Sequence, residues 1–149
     1  PNGNPLGTQK FDYKLDWMKR LIARAQALLE FEEPFVLAGD YNVIPMPQDA
    51  RFPENWRDDA LFQPQSRALF RELENLGLTD AYRACDADGG AYSFWDYQAG
   101  AWQKNNGIRI DHLLLSPQAA DRLSSVAIDR DMRAKEKPSD HVPIRAEFR

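Results

Sequence analysis

Asp40 and Asn42 in LAGDYNVIP, Asp111 in NNGIRIDHLLLS, and Asp140 with His141 in KPSDHVPI each fall at a strand end or loop junction. Hard oxygen ligands with one imidazole suit Mg2+ or Mn2+ better than zinc. A histidine oriented by a carboxylate is a standard source of a general base. Together these residue types point to metal-assisted hydrolysis. If the chain stays extended past Asp40, residues two apart point the same way, and a carboxylate and a carboxamide project together. A turn that Asp40 and Asn42 simply cap fits the sequence equally well. Asp111 sits among apolar strand neighbours, where an unpaired carboxylate is costly, so it needs Arg109, a histidine or a metal. Asp111-His112 repeats the order of Asp140-His141, but strand neighbours face opposite ways. Asp111 is assigned to the site and His112 to a packed or semi-exposed strand position. Ser139, Asp140 and His141 are consecutive and cannot converge as a nucleophilic triad. Ser-Asp before a strand is also ordinary turn chemistry, and a lone histidine is often structural.

The elements that must hold these residues show in the hydrophobic pattern. Apolar spacing from Leu15 to Leu29 predicts an amphipathic helix over residues 12–30, closed off by Pro34. FVLAGD reads as a strand buried on both faces. Pro45, Pro47 and Pro53 punctuate what reads as a long surface loop. A second helix is expected over PQSRALFRELENLGL, with Ser66 as N-cap and Gly77 as its stop. AYSFWDY and GIRIDHLLLS read as strands around a polar loop, residues 98–106. In the second, Ile108, Ile110, His112 and Leu114 should share one face, and Arg109, Asp111, Leu113 and Leu115 the other. A short helix from Pro117, a strand near residues 125–129 and a final alternating strand complete the chain. The interleaving of helices and strands predicts an α/β or α+β class.

The chain has 149 residues, enough for one domain burying about two-thirds of its unfolded surface. Its 43% hydrophobic and 28% charged content describes a globular protein rather than a disordered one. A single cysteine, Cys85, excludes an internal disulfide, and no Cys/His cluster has zinc spacing. No apolar run approaches a membrane span and the opening does not read as a signal peptide, so no membrane partner and a cytoplasmic location are expected. The net charge of −4 argues against a basic nucleic-acid coat, though Lys104, Arg109, Lys135 and Lys137 could form a local groove. Trp17, Trp56 and Trp95 read as core, Cys85 as inert, and Asp58-Asp59 and Glu32-Glu33 as solvated charge.

GDYNVIP, SFWDYQAG…NNGIRIDHLLLS and KPSDHVPI, in that order and separation and with LENLGLTDAYR between them, resemble the endonuclease/exonuclease/phosphatase superfamily. The likeness is strongest to its exodeoxyribonuclease III branch of abasic-site repair nucleases. It implies a four-layered α/β/β/α sandwich of the DNase I-like type, of which this chain resembles the C-terminal half. It implies Mg2+- or Mn2+-dependent hydrolysis of DNA phosphodiesters, at abasic sites or 3′ ends of duplex DNA. By resemblance, Asp40 orients or deprotonates water and contacts metal, Asn42 contacts metal and the reacting phosphate, and Asp140 serves the metal. His141 is the base or a phosphate and metal contact, and Asp111 fixes its tautomer. Asn105 resembles a DNA-contacting Asn; Phe94, Ile108 and Ile110 resemble the apolar wall that receives an extruded baseless sugar. Ile108 departs from relatives with Trp there.

Relatives are longer, and their first half carries an Asn, a metal-binding Glu in a QE motif and a catalytic Tyr with no counterpart here. PNGNP resembles the segment just after that Tyr. The chain is therefore expected to lack the N-terminal half of its domain, to bind Mg2+ poorly and hydrolyse DNA slowly by itself, and to expose a sheet face able to self-associate. The alternatives are a phosphatase or phospholipase of the same fold, or a non-catalytic binding module.

Overall fold

Thr8 sets the start of the first helix: its side chain accepts from the Phe11 N–H and donates to the Pro5 carbonyl. In the computed structural model, which describes residues 5–149, helix α1 therefore runs Gln9–Leu29, three residues earlier than its apolar stripe suggests. The turn-rich opening lies mostly outside the described residues. The buried face of α1 is Phe11, Lys14, Met18, Ile22 and Ala25, a three- and four-residue spacing that includes one lysine.

Strand β1 (Val36–Asp40) follows, then 3-10 turns at Pro47–Asp49, Pro53–Trp56 and Ala60–Phe62. Helix α2 (Pro64–Asn75), strand β2 (Thr79–Asp80), helix α3 (Ala81–Cys85) and strand β3 (Asp111–Leu115) come next. Helix α4 (Pro117–Ala120), strand β4 (Leu123–Ile128), a 3-10 turn at Arg130–Ala134 and strand β5 (Ile144–Phe148) end the chain. No helix among the described residues is long and apolar enough to cross a membrane.

Among the described residues two antiparallel sheets form, β1-β3-β2 and β4-β5. Helices α1 and α2 cover one face of the first sheet, and Met18, Ile22, Tyr41, Val43, Phe70, Leu73 and Leu114 close that core. A second cluster of Ile44, Ala50, Leu61, Phe62, Ile108 and Ile110 lies beside it.

Several expectations need correction. Strand β1 is not buried on both faces: among the described residues it is an edge strand paired only with β3, and Val36, Ala38, Gly39 and Asp40 are exposed while Leu37 reaches the core. Gln63, not Ser66, occupies the N-cap position of α2, without a side-chain capping bond, because Pro64 fits the first helical position; Ser66 is fully buried, its hydroxyl donating to the Ala60 carbonyl. The Pro-rich loop is a surface excursion only in part: Met46, Pro47, Gln48 and Arg51 are exposed, but Pro45, Asp49 and Ala50 are buried. Residues 91–97 form no continuous strand. Phe94 bridges Ile108 on one side and His141 on the other, so each neighbour takes only a short ladder. Asp59 is not simply solvated: it caps a turn by accepting from Leu61 N–H.

The face assignment around β3 also changes. Arg109 does not lie with Asp111; its Nη1 donates to His112 Nδ1 at 3.2 Å, on the opposite side. That fixes the neutral tautomer of His112, whose Nε2–H donates to the Val43 carbonyl at 2.9 Å. Burial, reinforced by the Arg109 charge and opposed by Asp80 and Asp49, lowers its pKa from 6.5 to about 4. Between those values the unfolded chain binds a proton that the fold refuses, so stability falls as pH falls from 6.5 toward 4. The slope is about 1.4 kcal/mol per pH unit, on the order of 3 kcal/mol in all. Urea melts at pH 7 and pH 4.5 check this, and His112→Gln should flatten the dependence. An unchanged midpoint would count against a neutral buried imidazole.

Candidate active site

Antiparallel register sets Asp40 directly opposite Asp111. Like charges facing across a ladder are unfavourable without compensation. The third element supplies it. Trp95 N–H donates to the Asp140 carbonyl and Val142 N–H to the Ser93 carbonyl, at 3.0 and 2.8 Å, laying the segment before β5 against residues 93–95. This carries His141 between the two carboxylates.

His141 Nδ1 lies 2.8 Å from Asp111 Oδ2, and its Nε2 faces Asp40 Oδ2 at 3.9 Å. A carboxylate only accepts, so Nδ1 carries the proton and Nε2 is left for a third group. The Asp111 hydrogen bond raises the His141 pKa against partial desolvation, helped by Asp40 and Asp140. Its contribution to stability is thus present below 6.5 and lost as pH rises through the raised folded value. Partial burial raises the Asp40 carboxyl; the Asn42 N–H opposes this and Asp111 adds to it.

Asn42 reaches Asp40 by a route other than extended alternation. The strand ends at Asp40 and Asn42 is left-handed, φ 48°, a conformation Asn tolerates. Its backbone N–H and Nδ2 donate to the two Asp40 oxygens at 2.8 and 3.0 Å. The turn alternative was correct for the backbone, yet the carboxylate and carboxamide still meet.

Ligand atoms of Asp40, Asp111 and His141 lie within 4.8 Å of one another. Two facing carboxylates with at most one imidazolium leave net negative charge, and hard cations bind through one or two carboxylates plus substrate oxygens. This donor set fits Mg2+ or Mn2+, with Asp40 as the available carboxylate because Asp111 is committed to His141. Asp140 is not in the cluster. Among the described residues its carbonyl accepts from Trp95 N–H at 3.0 Å and its carboxylate from Ser139 Oγ at 3.4 Å.

The apolar wall is mostly closed. Ile108 and Ile110 are 0% and 2% exposed, so they back the wall rather than present it, because the second core cluster needs them. Phe94 is partly buried and stands edge-on to the His141 ring, centroids 5.0 Å apart. Asn105, at φ 52°, has its Oδ1 held by Trp95 Nε1 at 3.1 Å. With the oxygen engaged, the amide donor is the end left to meet an acceptor. Arg109 is fully buried and leaves the presumed basic groove. Lys135 and Lys137 remain exposed and, with Met132, Pro138, Ser139 and His141, line a depression of about 530 Å3.

Sequence reasoning missed two supports. Ser93 Oγ, fully buried, accepts from the N–H groups of both Ile110 and Asp111 at 3.1 Å. Lys14 donates to the Asn42 carbonyl at 2.5 Å. A buried serine carries no pattern, but a lysine on a helix's apolar stripe is a visible anomaly.

Known proteins share this arrangement of elements. The sequence profile of the endonuclease/exonuclease/phosphatase family matches residues 3–141. Exodeoxyribonuclease III of Haemophilus influenzae is 36% identical over 142 residues, covering 88% of this chain and 53% of that protein. A 3′ phosphatase from Neisseria, solved bound to a product DNA hairpin, superposes with a TM-score of 0.95 at 37% identity, over 99% of this chain and 58% of that one. An AP endonuclease from Archaeoglobus fulgidus gives 0.92 at 33%, over 98% and 57%. The chain spans about half the length of the curated relatives it matches.

Proposed function

Since the chain belongs to the endonuclease/exonuclease/phosphatase family, we propose that the protein carrying it is a divalent-metal-dependent DNA phosphodiesterase of base-excision repair. It acts as an abasic-site endonuclease and 3′-to-5′ exonuclease in the cytoplasm, with Mg2+ or Mn2+. The observation that carries the reading is the convergence of Asp40, Asp111 and His141 from three separate segments. The relatives add support through their names, an exodeoxyribonuclease and an AP endonuclease, and through the product DNA held by the Neisseria protein. The alternatives, a phosphatase or phospholipase of the same fold or a purely binding role, have less support, since the relatives' names refer to DNA.

Asp40 would hold the cation with Asn42 beside it. The cation, when bound, supplies neutralising charge on the phosphate and a more acidic water. His141, kept by Asp111 with Nε2 free, serves the attacking water or the phosphate. Asn42 Nδ2 is a donor toward charge developing on phosphate oxygen. Phe94 holds the imidazole plane, and Lys135 and Lys137 offer cations to the strand beyond His141.

The test is incision of a duplex with one abasic site, against removal of a 3′ phosphate and hydrolysis of a soluble phosphate ester. Metal-dependent strand cleavage stopped by a chelator is expected, with little turnover of the soluble ester. A preference for the soluble ester, or cleavage indifferent to chelation, would overturn the reading.

A further inference from the structure

The apolar stripe of α1 buries one cation, Lys14, with no exposed surface. Among the described residues no carboxylate lies within ion-pair distance of its ammonium. Its partners are two main-chain carbonyls, Asn42 at 2.5 Å and Ala60 at 3.4 Å, and Ser66 Oγ donates to the second of these as well. Burying an ammonium in this way is costly, and for stability alone an apolar side chain of similar volume does as well or better. What the ammonium supplies is position. It holds the main-chain carbonyl of the left-handed Asn42, whose backbone N–H and Nδ2 in turn donate to the two oxygens of Asp40. The line from α1 to Lys14, Asn42 and Asp40 is continuous.

We propose that Lys14 is a positioning residue for the reacting centre: from inside the core it clamps the Asn42 turn so that Asn42 and Asp40 present a fixed pair of groups to the phosphate. This rests on reading Asp40 and Asn42 as the groups that meet phosphate. Lys14 itself touches neither substrate nor cation.

Lys14→Met keeps the stem and removes the donor; Lys14→Arg keeps two donors. In the protein that carries this chain, Lys14→Met is expected to lower kcat for abasic-site incision by about 10- to 100-fold with KM within about threefold, the scale of a small misplacement. Amide hydrogen exchange at Asn42 should rise by about tenfold or more while the amides of β1 stay unchanged, and the melting temperature should hold or rise. Lys14→Arg should restore most of kcat and the slow Asn42 exchange. Slow exchange at Asn42 in Lys14→Met, or a kcat loss matched by a general loss of protection through β1, would overturn the proposal. If Lys14→Met does not fold, Lys14→Gln carries the same comparison against Lys14→Arg. The exchange readout needs no activity, so a protein inactive on DNA would defeat the functional reading while Asn42 exchange still decides the role of Lys14.

Discussion

Replacing His141 by Asn should lower kcat on an abasic-site duplex by about 10³-fold, and Asp111→Asn by roughly 10²- to 10³-fold. The double variant should be no slower than His141→Asn alone, because groups that act as a unit do not lose their effects additively. The geometry gives the reason. Asp111 acts only through His141: its Oδ2 accepts from Nδ1 at 2.8 Å, which leaves Nε2 unprotonated toward the reacting centre. An Asn at 111 can turn its NH2 to Nδ1 and move the proton to Nε2, spoiling the base without removing it. The fold should barely notice. The two side chains are 33% and 20% exposed, and a partly exposed pair is worth about 1 kcal/mol or less once solvent screening is counted. Steady-state kinetics with matched thermal melts check both halves. An Asp111→Asn enzyme at the wild-type rate, or a double variant showing the product of the single losses, would sink the Asp111–His141 unit.

Asp40, Asp111 and His141 were legible because each stands where an apolar strand pattern stops or is interrupted, and a carboxylate there needs a reason. Asp140 was equally visible, but adjacency does not say which of two neighbours turns inward. The backbone bond from Trp95 decides that, and it sends His141 to the site. Ile108 and Ile110 belong to a binding wall only by resemblance; their burial against Ile44, Leu61 and Phe62 involves residues more than forty positions away, which no local pattern shows. Helices α1 and α2 show in their stripes, since three- and four-residue spacing is local information, whereas α3, five residues long, is too short to leave one. Edge exposure of β1 was not readable, because an apolar run looks the same whether one face or two is covered. Arg109 was misplaced for a related reason: nothing near it in sequence announces Asp49 and Asp80.

Arg109→Leu should destabilise the fold by about 3–5 kcal/mol, a drop of roughly 10 °C or more in Tm for a chain of this size. Arg109 Nε donates to Asp49 Oδ1 at 2.8 Å, and its Nη1 and Nη2 grip the two Asp80 oxygens at 3.0 and 2.8 Å. Its guanidinium lies over the Tyr82 ring, and Arg83 pairs with the same Asp49 oxygen, Oδ1. Burial pushes the Asp80 carboxyl up, but the Arg109 hydrogen bonds and charge more than offset this and hold it below the usual range. Asp80 therefore adds stability above about pH 4 that is lost as pH falls through its lowered folded value. With Arg109 gone, Asp80 is left as an almost fully buried carboxylate without its fork, and Asp49 keeps Arg83 and the Met46 N–H. Leaving a buried charge unpaired costs far more than the intact pair contributes. Arg109→Lys should rescue little, because one ammonium cannot make three directed bonds to two carboxylates. The decisive comparison adds Asp80→Asn to Arg109→Leu. Removing the stranded charge should recover part of the lost stability, most clearly at neutral pH. If the added substitution destabilises further, Arg109 is supporting the fold through volume and packing rather than by neutralising Asp80.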